Sequence, residues 1–239
     1  MFAYGDAVTE RYPTIRAGAL HATGLTNGPS AADLLDAYRA EQHAVVARLA
    51  STALADLPSI AAWRRAFTRF GAKPTQHRNA AEALLRRLTK RGDIPTINTL
   101  VDIGNLVSIR YAMPVAVFDT AGITGGIAVR FATGAECFAD LGSTEQVNPD
   151  AGEVIFVDRA DVVCARRWCW RQSAQSATGP TTTDALIVVE GHHDTAADDV
   201  AAALADLSAL LDAQQPDRRT TAYLLSPTHP RTDHAVEVA

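Results

Sequence analysis

Cysteine is scarce: Cys137, Cys164 and Cys169 are the only three in 239 residues. An odd, sparse set builds no disulfide framework and points to a reducing cytoplasm. Cys164 and Cys169 stand five apart in a run that reads as a strand, so they fall on opposite faces and do not share a metal. No apolar run approaches the roughly 18 residues of a membrane span. The first ten residues carry Asp6 and Glu10 and lack the apolar core of a signal peptide. Repeats at a period of about 20–50 residues are absent. So are Gly-x-Ser-x-Gly, His-Glu-x-x-His, the Gly-Lys-Ser/Thr phosphate loop and Gly-x-Gly-x-x-Gly, which removes the common signatures of hydrolase, zinc protease, nucleotide and dinucleotide sites.

What is present is a globular composition, 47% apolar, with a net charge of −5. That balance argues against a general nucleic-acid binder, because phosphate contacts need concentrated Lys and Arg. The distribution is uneven, however. Arg64, Arg65, Arg69, Lys73, Arg78, Arg86, Arg87, Lys90 and Arg91 crowd one segment that only Glu82 opposes. An acidic chain with one basic segment holds a polyanion at one place and repels it elsewhere. The plainer reading is a pair of solvated helix faces.

Periodicity predicts a strand over 14–25, ended by the turn Thr26-Asn27-Gly28-Pro29. A helix follows, capped by Ser30 with Asp33 three residues on. A second helix covers 60–70, capped by Ser59, and a third covers 79–89. A fourth spans 96–111, after Pro95. Beyond Pro114 the pattern turns to short strands over 115–118, 126–131, 153–157, 162–170 and 185–190. A last helix over 195–211, capped by Asp194, precedes an edge strand over 221–225 and a loose polar tail from Ser226. A helical first half and a strand-rich second half make the fold α+β or mixed α/β.

Three places suit chemistry. Asp102 and Asn105 lie one helical turn apart in an apolar stretch, where they either serve a site or brace neighbouring backbone. Arg166-Arg167-Trp168-Cys169-Trp170-Arg171 interleaves cations with indoles, as a stacking and phosphate-contact surface does; the alternative is a core strand rimmed by arginines. Glu190-Gly191-His192-His193-Asp194 follows an apolar strand, where a carboxylate recognises a ligand or does acid–base work. Adjacent histidines diverge, so a metal site there is disfavoured.

Read together, Ile97 to Asn105 (INTLVDIGN), Met113 to Asp119 (MPVAVFD), Gly125 to Arg130 (GGIAVR) and Glu153 to Asp158 (EVIFVD) occur in the order found in the B3/B4 domain of the phenylalanyl-tRNA synthetase beta subunit, which the chain resembles over about 73–191. The resemblance implies a free-standing B3/B4-like domain: a strand–helix extension over 14–57, the family-like core, a closing helix and strand over 195–225, and the tail over 226–239. It implies tRNA binding, hydrolysis in trans of the ester of a mischarged tRNA, no cofactor and no metal; a non-catalytic tRNA- or RNA-binding or interaction module is the alternative. Nothing resembles the aminoacylation module. By the same resemblance, Glu190 matches the glutamate that reads a tyrosine hydroxyl, and Ala116, shortly after Pro114, stands where the family has a histidine. The glycine-rich pocket wall corresponds to roughly 165–171. Glu190, Asn105 and Asp102 are the implied catalytic set. Arg166, Arg167, Arg171, Trp168, Pro114 and Ala116 are the implied binding set for the aminoacylated 3′ end.

Overall fold

The computed structural model describes residues 2–143 and 145–236. In chain order the elements are β1 (Phe2–Tyr4), α1 (Asp6–Arg11), β2 (Arg16–Thr23), α2 (Ala32–Leu49), α3 (Pro58–Arg69), α4 (Ala80–Arg91) and α5 (Thr99–Tyr111). There follow β3 (Val115–Asp119), β4 (Ile127–Phe131), β5 (Phe138–Ala139), β6 (Gln146–Val147), β7 (Val154–Asp158), β8 (Val163–Arg166) and β9 (Arg171–Gln172). β10 (Asp184–Gly191), α6 (Ala196–Gln214) and β11 (Arg219–Leu225) close the order, and the fold is α+β.

Two sheets carry the architecture. One runs β11-β2-β10-β3, the other β1-β4-β7-β8-β9, with β5 and β6 as a small separate pair. β10 is antiparallel to both neighbours, with Val188 opposite Ala19 and Ala116. Its period of two sends Ile187 and Val189 to one face and Leu186, Val188 and Glu190 to the other. The first face packs beneath α2, α4, α5 and α6, around Leu20, Leu106, Val200 and Leu204. The second meets the other sheet through Phe118, Phe156 and Phe2, whose rings touch in sequence. β10 is therefore covered on both sides, which is why its run is continuously apolar before Glu190. Gly104 allows α5 to sit close on β3, since a Cβ there would lie 2.9 Å from Val117 Cγ2.

Several expectations are corrected. Ser30 caps nothing; α2 starts from Ala31, and the Ser30 hydroxyl donates to Asp102 Oδ2 at 2.6 Å. Ser59 likewise donates to the Ala112 carbonyl, because Pro58 already occupies the first turn of α3. Asn79 and Asn98 are the side-chain caps of α4 and α5. The residue before α6 is Thr195, not Asp194. The expected strand over 162–170 stops at Arg166, so Cys169 belongs to a turn. The polar tail is not loose over 226–236: Arg231 bridges to Ala3, Thr232 bonds the backbone of Phe2, and Val236 bridges to Ala222. Its last three positions lie outside the described residues. β1 and α1 lie in a stretch for which the sequence pattern predicts no element.

Asp102 is fully buried, and its second oxygen accepts the Ile97 amide at 2.9 Å. It thus ties the entry of α2 to the entry of α5, and burial raises its pKa. Asp102→Ala should lower unfolding stability by about 2–4 kcal/mol, since two donors lose their acceptor. Urea titration measures this.

Candidate functional site

Glu190 ends the apolar run of β10 facing the second sheet, and is 2% exposed. Its Oε1 accepts the Trp168 indole N–H at 2.8 Å and the Tyr4 hydroxyl. Its backbone amide donates to the Pro114 carbonyl at 3.3 Å, and its carbonyl accepts the Trp63 indole N–H at 3.4 Å. Burial pushes the Glu190 pKa up to about 7, against the pull of the Tyr4 and Trp168 bonds. The same burial, with the adjacent carboxylate, holds Tyr4 well above the usual phenol range.

Trp168 reaches this place through backbone that residue type does not announce. β8 and β9 are joined by a turn in which Arg167 (φ 44°) and Trp168 (φ 60°) are both left-handed, without glycine. Such residues cost on the order of 1–3 kcal/mol each and persist only where packing over-determines them. Here the packing is the fully buried indole. It is met edge-on by Tyr12 (centroids 4.9 Å), Trp63 (5.2 Å) and His192 (5.0 Å). Trp168 is therefore a core side chain rather than an exposed stacking surface.

The implied binding arginines are spent within the chain. Arg166 forms a two-pronged pair with Glu153, both contacts at 3.1 Å, and Arg167 bonds Asp150 at 2.8 Å. Arg171 pairs with Asp140. Arg167 and Arg171 also lie over the Trp170 ring. The strand expected to alternate these side chains folds back as a hairpin, and neighbouring acids absorb the charge. Asp102 and Asn105 do not join Glu190 either. They belong to α5, on the helix-covered face of the β10 sheet, with Asn105 beside Tyr38 of α2. Pro114 and Ala116 do stand near Glu190, and Ala116 shares its side of the sheet.

None of the cavities described here has Glu190 in its wall. An opening of about 380 Å³ lies behind Tyr12 and His192 and is also lined by Thr14, Arg65, Arg69 and Asp194. Arg65 and Arg69 come one turn apart from α3, with Ala62 and Ala66 as a small floor between them. Among the described residues neither guanidinium has a carboxylate partner, nor does Arg11, whose guanidinium donates to the Arg69 carbonyl. Arg69 lies over the Tyr12 ring at 5.8 Å. The Tyr12 hydroxyl and His192 Nε2 are buried and lack hydrogen-bond partners at bonding geometry. Burial drives the His192 pKa down to about 3, helped by His193, Arg65 and Arg69, so the ring is neutral. His193 instead bonds Asp199 at 2.8 Å and supports the start of α6. Arg65 and Arg69 were visible in the basic segment; Tyr12 and Thr14 carried no sequence signal. A larger cavity, about 440 Å³, lies at the β1–β4 edge beside Gly125 and Arg159; Tyr4, the partner of Glu190, is in its wall, and its Arg130 is already paired with Glu136 and Asp161. Among the described residues no cluster of three or more His, Cys, Asp or Glu is placed to hold a metal, and no helix is long and apolar enough to cross a membrane.

A solved N-terminal fragment of the phenylalanyl-tRNA synthetase beta subunit from Pyrococcus horikoshii is similar at 14% identity with a TM-score of 0.42. The match covers 51% of this chain and 40% of that one, so the chain spans well under half of the fragment. No curated protein matches. The family model for the B3/4 domain matches residues 62–208, from α3 into α6, which is more than half of the sequence. This chain belongs to the B3/4 domain family.

Proposed function

We propose that this chain binds the charged 3′ end of a tRNA at the pocket between α3 and the end of β10, and hydrolyses the ester of mischarged tRNA in trans. The observation that carries the reading is the pair Arg65 and Arg69, free of carboxylate partners among the described residues, on the wall of an aromatic-walled pocket in an acidic chain, with Arg11 bonded to the Arg69 carbonyl. Phosphates seek such a place, and the rest of the surface discourages other docking. On this reading Glu190 meets a ligand only when Trp168 has left it.

A non-catalytic tRNA-binding module is the second reading. It is favoured by the engagement of Glu190 with the chain's own Tyr4 and Trp168, and by Ala116 in place of a histidine. One experiment separates the two. Filter binding of tRNA at two salt concentrations is run beside hydrolysis of a panel of mischarged tRNAs. Arg65→Glu with Arg69→Glu should weaken binding by about tenfold or more, and flatten the salt dependence by about 0.7–0.9 log units per lost phosphate contact. Turnover of any mischarged tRNA above the rate in buffer supports the hydrolytic reading. Binding without turnover supports the second, and absence of binding removes both.

A further inference from the structure

The pocket beside His192 carries both signs of charge. Arg65 and Arg69 line it from α3, and Asp194 from the segment leading into α6, two residues beyond His192; all three are exposed at its mouth. Among the described residues the Asp194 carboxylate makes no hydrogen bond and no ion pair, and no contact within 4.0 Å joins it to Arg65 or Arg69. Opposite charges that share one small pocket without pairing are complementary to a ligand that itself carries both signs. Two further groups in the wall are unfulfilled: the Tyr12 hydroxyl and His192 Nε2, on side chains only 2% and 6% exposed. A neutral imidazole and a phenol suit uncharged polar atoms of a ligand, such as ester or hydroxyl oxygens.

An aminoacylated 3′ end has this composition. Its phosphates are anionic, its ester and ribose are neutral and polar, and its single cation is the free α-ammonium group. Resting on the acceptor-end reading above, we infer that Asp194 reads the α-ammonium of the charged end while Arg65 and Arg69 hold its terminal phosphate. The site is thus selective for charged tRNA with an unblocked amine. Uncharged tRNA lacks the cation, and N-acylated aminoacyl-tRNA has lost it; each leaves Asp194 without a counter-charge and brings the phosphate alone.

The test compares binding of tRNA bearing a non-hydrolysable 3′-amide-linked amino acid, the same tRNA after N-acetylation, and uncharged tRNA, each to wild type and to Asp194→Asn. The wild type should bind the free-amine form about tenfold more tightly than the acetylated form, an expectation of the size found for one charge-assisted contact. Asp194→Asn should erase that ratio, weakening the free-amine form and relieving the uncompensated carboxylate that the acetylated and uncharged forms meet. Arg65→Ala should weaken all three forms together, leaving the ratio intact. Equal binding of free-amine and acetylated tRNA by the wild type, with tRNA binding otherwise normal, overturns this inference and leaves the acceptor-end reading standing. Failure of every tRNA form to bind overturns that reading and this inference with it.

Discussion

Replacing Glu190 by Gln should change the pH dependence of stability by about 3 kcal/mol, the free-energy equivalent of a carboxyl pKa moved from 4.5 to about 7. The unfolded side chain releases its proton near pH 4.5, whereas the folded one keeps it until about 7. Between those values the folded state binds the extra proton, so stability falls as pH rises. This contribution is intact below pH 4.5 and lost once pH passes about 7. Gln has no such titration and can still accept the Trp168 and Tyr4 donors. The stability difference between Glu190→Gln and wild type should therefore move steadily in favour of Gln across that window, as read by urea unfolding at a series of pH values. A difference that stays flat from pH 4.5 to 7.5 would mean that the carboxyl is not desolvated as the structure has it. Glu190→Ala should instead destabilise at every pH, because two buried donors are then orphaned.

Trp168→Gly should lower stability by about 3–5 kcal/mol, the usual cost of removing a fully buried indole, less roughly 1 kcal/mol for relief of its left-handed backbone. The hole left behind keeps the Glu190 acceptor on one side and the edges of Trp63, Tyr12 and His192 on others. Indole added to the buffer should bind there and raise the melting temperature, because a ligand that binds only the folded state stabilises it by mass action. 1-Methylindole fills the same shape without the N–H and should rescue less well. Equal rescue by both, or none by either, counts against the indole–carboxylate bond as the tie that holds this turn.

The parts of this architecture that sequence discloses are those governed by local pattern. The helix expected over 79–89 and the apolar stripe on α6 need only helical spacing. The continuous run before Glu190 told of a buried strand. What sequence conceals depends on partners far along the chain. Ser30 and Ser59 look like helix caps, but each finds a better acceptor in a distant element. Arg166, Arg167 and Arg171 look free until Asp140, Asp150 and Glu153 are folded against them. The turn at Arg167 and Trp168 has no glycine to announce it. Phe2–Tyr4 is too short to show alternation, although its tyrosine closes over the carboxylate that the resemblance singled out.

The bond between Tyr4 and Glu190 joins residues 186 positions apart, and that between Phe2 and Thr232 joins residues 230 apart. A chain emerging from the ribosome in order delivers Tyr4 long before its acceptor exists. Strand β1 therefore waits without its carboxylate partner until residue 190 has been made, and the carboxylate is sealed only when Tyr4 meets it. Tyr4 and Thr232 thus bring residues far apart in sequence to one strand, β1, which closes over the buried carboxylate.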